Sequence, residues 1–197
     1  MSQMNIHQDT IILDGKILPA SKILLEQLAP WNLKGRGVFE SMRAYEGNVA
    51  FCDEHVTRFF AGLKILKIKI PPDFSRKHIL AHIQAVLKVS RWKSVRLRLT
   101  MWQERQRLRF SVITSSYKPA SRQQYGKGVG AVTYPIAYRR HVALANIKSI
   151  EYQFFAKAYK SALRQGRDEA IIFNHKDEIV EGSRSNIFLI RQGKILT

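Results

Sequence analysis

Gly35-Arg-Gly-Val-Phe-Glu-Ser-Met-Arg-Ala-Tyr-Glu-Gly47 decides the fold. Glu46-Gly47 is a tight-turn dipeptide, so the stretch from Gly37 to Phe51 reads as a hairpin. The period of two in its first strand puts Phe39, Ser41, Arg43 and Tyr45 on one face. Val38, Glu40, Met42 and Ala44 share the other. Upstream, Asp14-Gly15 turns a shorter hairpin over Thr10 to Leu18. Downstream, Asp53 is placed to cap a helix running to about Leu66. Val56, Phe59, Phe60 and Leu63 form its apolar stripe, and Arg58 projects from the opposite side.

Past Pro71-Pro72 a second helix is expected from about Ser75 to Val89. Two strands of clean alternation follow, Val95 to Met101 and Arg107 to Ile113, joined by Trp102–Gln106. Paired, they put Arg96, Arg98, Arg107 and Arg109 on one sheet face, where like charges must be solvated or matched by an anion. The polar stretch Tyr117 to Gly128, with Pro and two Gly, is the domain boundary: an N-terminal α/β domain over 1–118, a linker over 119–127 and a second domain over 128–197. That second domain reads as a strand near Val129–Ile136, a basic loop at Arg139-Arg140-His141, and a helix from about Ser149 to Gln165 ended by Gly166. Strands at Glu169–Phe173, Glu178–Glu181 and Asn186–Ile190 follow, then a hairpin at Gln192-Gly193.

Composition narrows the class of protein. The 197 residues are 45% hydrophobic, enough for a core, and contain no apolar run of the ~18 residues a membrane span needs. Met1 to Gln8 lacks the pattern of a secretory signal. Cys52, alone, excludes a disulfide framework and suits a reducing, cytoplasmic setting. Lys and Arg number 33 against 15 Asp and Glu, a net charge of +18 that favours anionic partners of some kind. Nucleic acid is the weaker choice: the arginine face carries no interleaved exposed aromatics. His78 and His82 are the one close histidine pair and lack a third ligand, so no metal site is expected. Phosphate-cradling glycine loops and a nucleophile elbow are absent.

Two segments taken together carry a resemblance. The first is the quoted stretch followed by Asp53-Glu-His-Val-Thr-Arg58. The second runs from Lys148-Ser149 through Gly166-Arg-Asp-Glu-Ala170 to Glu181-Gly-Ser-Arg-Ser-Asn-Ile-Phe188. In this order and spacing they resemble the class IV aminotransferases, the fold-type IV enzymes that use pyridoxal 5′-phosphate and that include branched-chain aminotransferases, D-amino-acid transaminases and aminodeoxychorismate lyases. The resemblance runs from about Asp14 to Thr197. It implies an α+β, two-domain fold: a small N-terminal α/β sandwich and a barrel-like C-terminal domain, here incomplete.

By the same resemblance Lys148 is the catalytic lysine that joins the cofactor's aldehyde and then shuttles the substrate's α-proton, work suited to a primary amine. Glu181 stands beside the pyridine nitrogen, Arg58 binds the phosphate, and Ser185 and Asn186 line the cofactor pocket. Tyr152 lies near the position of a tyrosine against the cofactor's phenolic oxygen, one residue short in spacing. Phe39 matches an aromatic wall of the substrate pocket, and Arg98 is the candidate for a substrate carboxylate. Ser149-Ile150-Glu151-Tyr152 replaces the Gly-Gly-Asn-Tyr of branched-chain enzymes. With the positive charge, this ranks an acidic amino-acid-like substrate and the lyase, 4-amino-4-deoxychorismate lyase, ahead of a branched-chain or D-amino-acid transaminase. Family members continue beyond Thr197, so the chain is expected to be a fragment rather than a shortened homologue, with a truncated inactive homologue as the alternative. A cytoplasmic homodimer without membrane attachment completes the implied picture.

Overall fold

The structure, a computed structural model, describes residues 10–117, 119–138 and 147–197. The expected basic loop Arg139-Arg140-His141 and the N-terminal stretch Met1 to Gln8 lie outside them. The described residues divide into two compact units, 10–117 with 147–151, and 119–138 with 152–197.

The first unit is built on a six-stranded sheet in the order β2-β1-β6-β5-β3-β4. Its strands are β1 (Thr10–Leu13), β2 (Lys16–Pro19), β3 (Arg36–Tyr45), β4 (Asn48–Val49), β5 (Ser94–Glu104) and β6 (Arg107–Ser116). All neighbours are antiparallel. The two-residue hairpins turn at the expected dipeptides: Asp14 and Gly15 have φ of 49° and 83°, Glu46 and Gly47 of 48° and 80°. Both pairs occupy the left-handed region that a tight hairpin of this hand requires. β5 and β6 run longer than their alternation indicated and meet at Arg105-Gln106, because Trp102 pairs with Arg109 and Glu104 with Arg107.

The short helix α1 (Lys22–Gln27) and a 3-10 turn at Pro30–Asn32 follow β2. Helices α2 (Cys52–Ile65) and α3 (Arg76–Val89) supply the apolar cover. Val56, Phe59 and Leu63 of α2 and Ile79, Ile83 and Val86 of α3 are buried, as are Leu97, Leu99 and Met101 of β5. Each fully buried side chain of this kind contributes about 1.5–3 kcal/mol relative to exposure. Ser75 caps α3, its hydroxyl accepting from the His78 N–H. Asp53 does not cap α2. Phe51 takes the cap position with φ 52° and ψ 37°, and Asp53 lies in the first turn, where its carboxylate receives Arg76 at 2.6 Å.

Residues 147–150 are not the start of a helix. They form an extended segment against the edge of β3: Phe39 N–H donates to the Lys148 carbonyl at 2.9 Å, and Ile150 N–H to the Gly37 carbonyl at 3.0 Å. Two buried isoleucines, Ile147 and Ile150, anchor it, and the helix expected from Ser149 starts at Gln153 instead.

The second unit holds a three-stranded sheet, β7 (Ala131–Thr133), β8 (Glu169–Phe173) and β9 (Ile179–Gly182), with β7 and β8 parallel and β9 antiparallel. The stretch read as a linker contains a short helix, α4 (Arg122–Lys127), closed by a capping box between Ser121 and Gln124. Helix α5 (Gln153–Arg164) packs Phe155, Ala158 and Ala162 on Ala170 and Ile172. β7 is shorter than the strand expected over Val129–Ile136. The strand expected from Asn186 begins at Leu189, as β10 (Leu189–Arg191), hairpinned to β11 (Lys194–Leu196).

Candidate active site

In the first unit the candidate residues gather along β3. Phe39 and Glu40 are neighbours there and point to opposite faces. Above Phe39 stands the Lys148 amine, 5.2 Å from the ring centroid, on an exposed side chain whose backbone is fixed by the hydrogen bond to Phe39 N–H. Gly37 lets β3 pack closely on β5: a Cβ there would lie 2.6 Å from the Met101 carbonyl oxygen. On the other face Gly62 of α2 sits against Val38 and Ile147, so α2 and the lysine segment meet across one residue of β3.

Glu40 is 1% exposed. Arg58 donates to it twice, Nε to Oε1 and Nη2 to Oε2, each at 2.6 Å, and His55 Nδ1 lies 2.8 Å from Oε2. The hydrogen bond to Glu40 raises the Arg58 pKa above its already high ordinary value, so the guanidinium is always charged. One edge of the guanidinium, Nε and Nη2, is occupied, and Nη1 of this half-exposed side chain has no hydrogen-bond partner among the described residues. The sequence reading named Arg58 and missed both its partners. Glu40 had a signal, a carboxylate on an otherwise apolar strand face. His55, one helical turn before Arg58, had none.

Arg98 shares the Phe39 face of the sheet, where Ser41 pairs with Arg98 and Phe39 with Thr100. Its Nη2 donates to the Leu28 carbonyl at 3.2 Å, and its Nε is buried without a partner among the described residues. Burial first, then the charge of Arg96, pulls its pKa down to about 10. Arg98 borders a cavity of about 250 Å³ that Lys22, Trp31, Arg96 and Ser115 also line. The four arginines expected on one sheet face are there, without forming one cluster: Thr100 and Trp102 separate Arg96 and Arg98 from the other two. Arg109 is paired with Asp14 at 2.6 Å and lies over Trp102, and Arg107 reaches the same carboxylate at 3.8 Å.

In the second unit Glu181 lies in β9, paired with Ile172 of β8. Tyr152 precedes α5, stacks on Phe155 at 5.0 Å and donates its hydroxyl to the Ser183 carbonyl at 2.6 Å. Ser185 and Asn186 follow β9 in a turn where Gly182 N–H donates to the Ser185 carbonyl at 2.9 Å. The Ser185 hydroxyl donates to Glu169 at 2.7 Å, a contact no pattern in the sequence announced. Of the candidates, then, Phe39, Arg58, Arg98 and Lys148 belong to the first unit, and Tyr152, Glu181, Ser185 and Asn186 to the second. Among the described residues no group of three or more His, Cys, Asp and Glu could hold a metal ion, and no helix is long and apolar enough to cross a membrane.

Residues 37–197 match the class IV aminotransferases, and the chain belongs to that family. A putative branched-chain-amino-acid aminotransferase of Methanocaldococcus jannaschii is 27% identical over 95% of this chain and 67% of its own length. Among solved structures, a branched-chain aminotransferase of Thermoproteus uzoniensis with norvaline superposes with a TM-score of 0.76 at 22% identity, over 95% of this chain and 67% of that one. The branched-chain aminotransferase of Escherichia coli gives 0.76 at 17%, over 95% and 67%. A further branched-chain aminotransferase, solved with pyridoxamine 5′-phosphate, gives 0.80 at 24%, again over 95% and 67%. The α+β fold expected from the motifs is thus the fold of fold-type IV aminotransferases. The chain spans about two thirds of the length of these relatives.

Proposed function

We propose that the chain carries the pyridoxal-phosphate site of an aminotransferase acting on a branched-chain or similar apolar amino acid. The observation that carries this reading is an exposed lysine amine held over an aromatic ring, on the strand whose next residue, Glu40, orients an arginine. The donor set fits the cofactor: Lys148 supplies an amine for its aldehyde, Arg58 a guanidinium for its phosphate, and Glu181, Ser185 and Asn186 a carboxylate and polar groups for its ring and pocket. When bound, pyridoxal phosphate takes up the substrate's amino group and spreads the electrons left at the α-carbon over its ring.

The remaining work belongs to the chain's own side chains. Lys148, its backbone fixed by the hydrogen bond to Phe39 N–H, carries the proton to and from the α-carbon as general base and then acid. Glu181 holds a proton on the ring nitrogen. Arg58, its plane set by Glu40, anchors the phosphate. Phe39 forms an apolar wall beside the amine. Arg98 offers charge to a carboxylate, which suits glutamate as the amino donor.

The names of the curated relatives support branched-chain substrates. The lyase ranking leans on the Ser149–Tyr152 replacement and on the positive charge, and two arginines of the sheet face, Arg107 and Arg109, pair with Asp14. Aminotransfer is accordingly the preferred reaction, with a cytoplasmic homodimer as the assembly that sedimentation and cell fractionation would test. The decisive experiment adds pyridoxal phosphate to the purified chain, fixes it with borohydride and maps the modified peptide, which is expected to contain Lys148. Amino transfer from leucine, valine and glutamate to 2-oxo acids is then measured beside pyruvate release from aminodeoxychorismate. Pyruvate release without transfer restores the lyase; modification away from Lys148 overturns the site.

A further inference from the structure

We infer that Glu169 is a positioning residue: its carboxylate holds the turn Gly182–Asn186 in one conformation and thereby presents Glu181, Ser185 and Asn186 to the cofactor. This rests on the proposed pyridoxal-phosphate site. Four donors converge on the carboxylate. Its Oε1 accepts from the Ser183 hydroxyl and from the Ala170 N–H at 2.8 Å. Its Oε2 accepts from the Ser185 hydroxyl at 2.7 Å and the Arg184 N–H at 3.3 Å. An ionised carboxylate has acceptors only, so these donors all point inward and each hydroxyl has its orientation set.

The turn is gripped from two further sides. Ser183 N–H donates to the Ala170 carbonyl at 2.8 Å, while its own carbonyl receives the Tyr152 hydroxyl at 2.6 Å. The Arg184 guanidinium lies 4.6 Å over the Tyr159 ring of α5. The space is correspondingly small: a Cβ on Gly182 would collide with the Ser185 hydroxyl and come within 3.2 Å of the Glu169 carboxyl carbon. Ser185 therefore keeps its lone pairs for a ligand while its proton is directed at Glu169, and Tyr152 acts on the turn through Ser183.

Glu169→Gln is the sharpest probe because it preserves shape. The new amide has one acceptor oxygen and one NH₂ group, and whichever end the NH₂ takes, it faces a backbone N–H, of Ala170 or of Arg184. A hydroxyl can rotate to accept from it; a backbone amide cannot. In the full chain, Glu169→Gln is expected to speed hydrogen exchange tenfold or more at 182–186, with α5 amides unchanged. It should also weaken pyridoxal phosphate binding about tenfold and shift the pH titration of the bound cofactor's absorbance. In a Ser183→Ala/Ser185→Ala background the same substitution is expected to have a smaller effect, the non-additivity of groups sharing one network. Glu178→Gln, in the exposed β8–β9 turn, is the control and is expected to change neither. Unchanged affinity and titration in Glu169→Gln would overturn the proposal, and so would exchange accelerated throughout α5 and β7 with a lowered melting temperature, the mark of a merely structural group. If the wild-type chain binds no pyridoxal phosphate, the functional reading falls by itself. Local exchange alone then judges Glu169, acceleration confined to 182–186 supporting it and unaltered exchange overturning it.

Discussion

Glu40 and Glu169 are each the polar centre of one unit, and they are satisfied in opposite ways. Glu40 is buried under α2 and meets a guanidinium and an imidazole; Glu169 meets two hydroxyls and two backbone amides. The surroundings differ as much. Glu40 lies in an apolar layer formed by long strands and two 14-residue helices. Among the described residues the second unit has a five-residue buried cluster, and the strands β10 and β11 leave Ile190 and Ile195 78% and 70% exposed. A carboxylate withdrawn from water needs either an opposite charge or enough neutral donors, and the two units supply one solution each.

The largest effect is expected at Lys148, where the comparison is chemical. Lys148→Ala should abolish covalent capture of pyridoxal phosphate and lower amino transfer by at least the 10²–10⁴-fold of a lost general base. Far-UV circular dichroism should be unchanged, since the side chain is exposed. Retained capture would move the site elsewhere. Next comes the charge pair. Arg58→Ala leaves Glu40 buried with His55 alone, and breaking a buried pair from one side costs about 3–5 kcal/mol. The half-exposure of Arg58 places the expected loss toward the lower end of that range. Denaturant titration measures it, and an unchanged midpoint would mean that Glu40 finds water instead.

Leu97→Ala and Ile172→Ala compare the two cores directly. Both side chains are fully buried, and each truncation is expected to cost about 2–5 kcal/mol. What separates them is extent. Leu97→Ala should accelerate exchange across the six-stranded sheet, Ile172→Ala only across β7 to β9 and α5. Identical exchange maps from both variants would show that the units unfold as one.

Most of the first unit was legible because its elements obey local rules. Asp14-Gly15 and Glu46-Gly47 name their own hairpins, Ser75 its helix, and the alternation of β5 its buried face. The failures are places where tertiary pairing overrides local preference. Ser149 and Ile150 read as the start of a helix because the residues after them do, yet the open edge of β3 offers Phe39 N–H and the Gly37 carbonyl, and the extended form of 147–150 satisfies both. The shared face of the four arginines was legible and their separation was not, because period two fixes which side a residue takes but not how far apart the ends of a long hairpin lie. Glu169 was missed for a similar reason: its partners lie 14 to 16 residues downstream, with no periodicity to join them.

The smallest effect on stability, and the most informative about substrate, is expected from Arg98→Met. The guanidinium is desolvated beside Arg96 and its Nε has no partner among the described residues, so the folded chain holds that proton less tightly than the unfolded one. The penalty is fully present at neutral pH and is released only as pH rises through about 10 toward the unfolded value, where the unfolded chain binds more protons and stability climbs. Replacing such a group by an apolar side chain of similar length is near neutral or stabilising. Arg98→Met is therefore expected to leave the melting temperature unchanged or higher at pH 7. If Arg98 serves a carboxylate, the same variant should raise the KM for glutamate by tenfold or more while the KM for leucine moves little. Parallel changes in both would assign Arg98 to the wall of the cavity rather than to the recognition of an acidic donor.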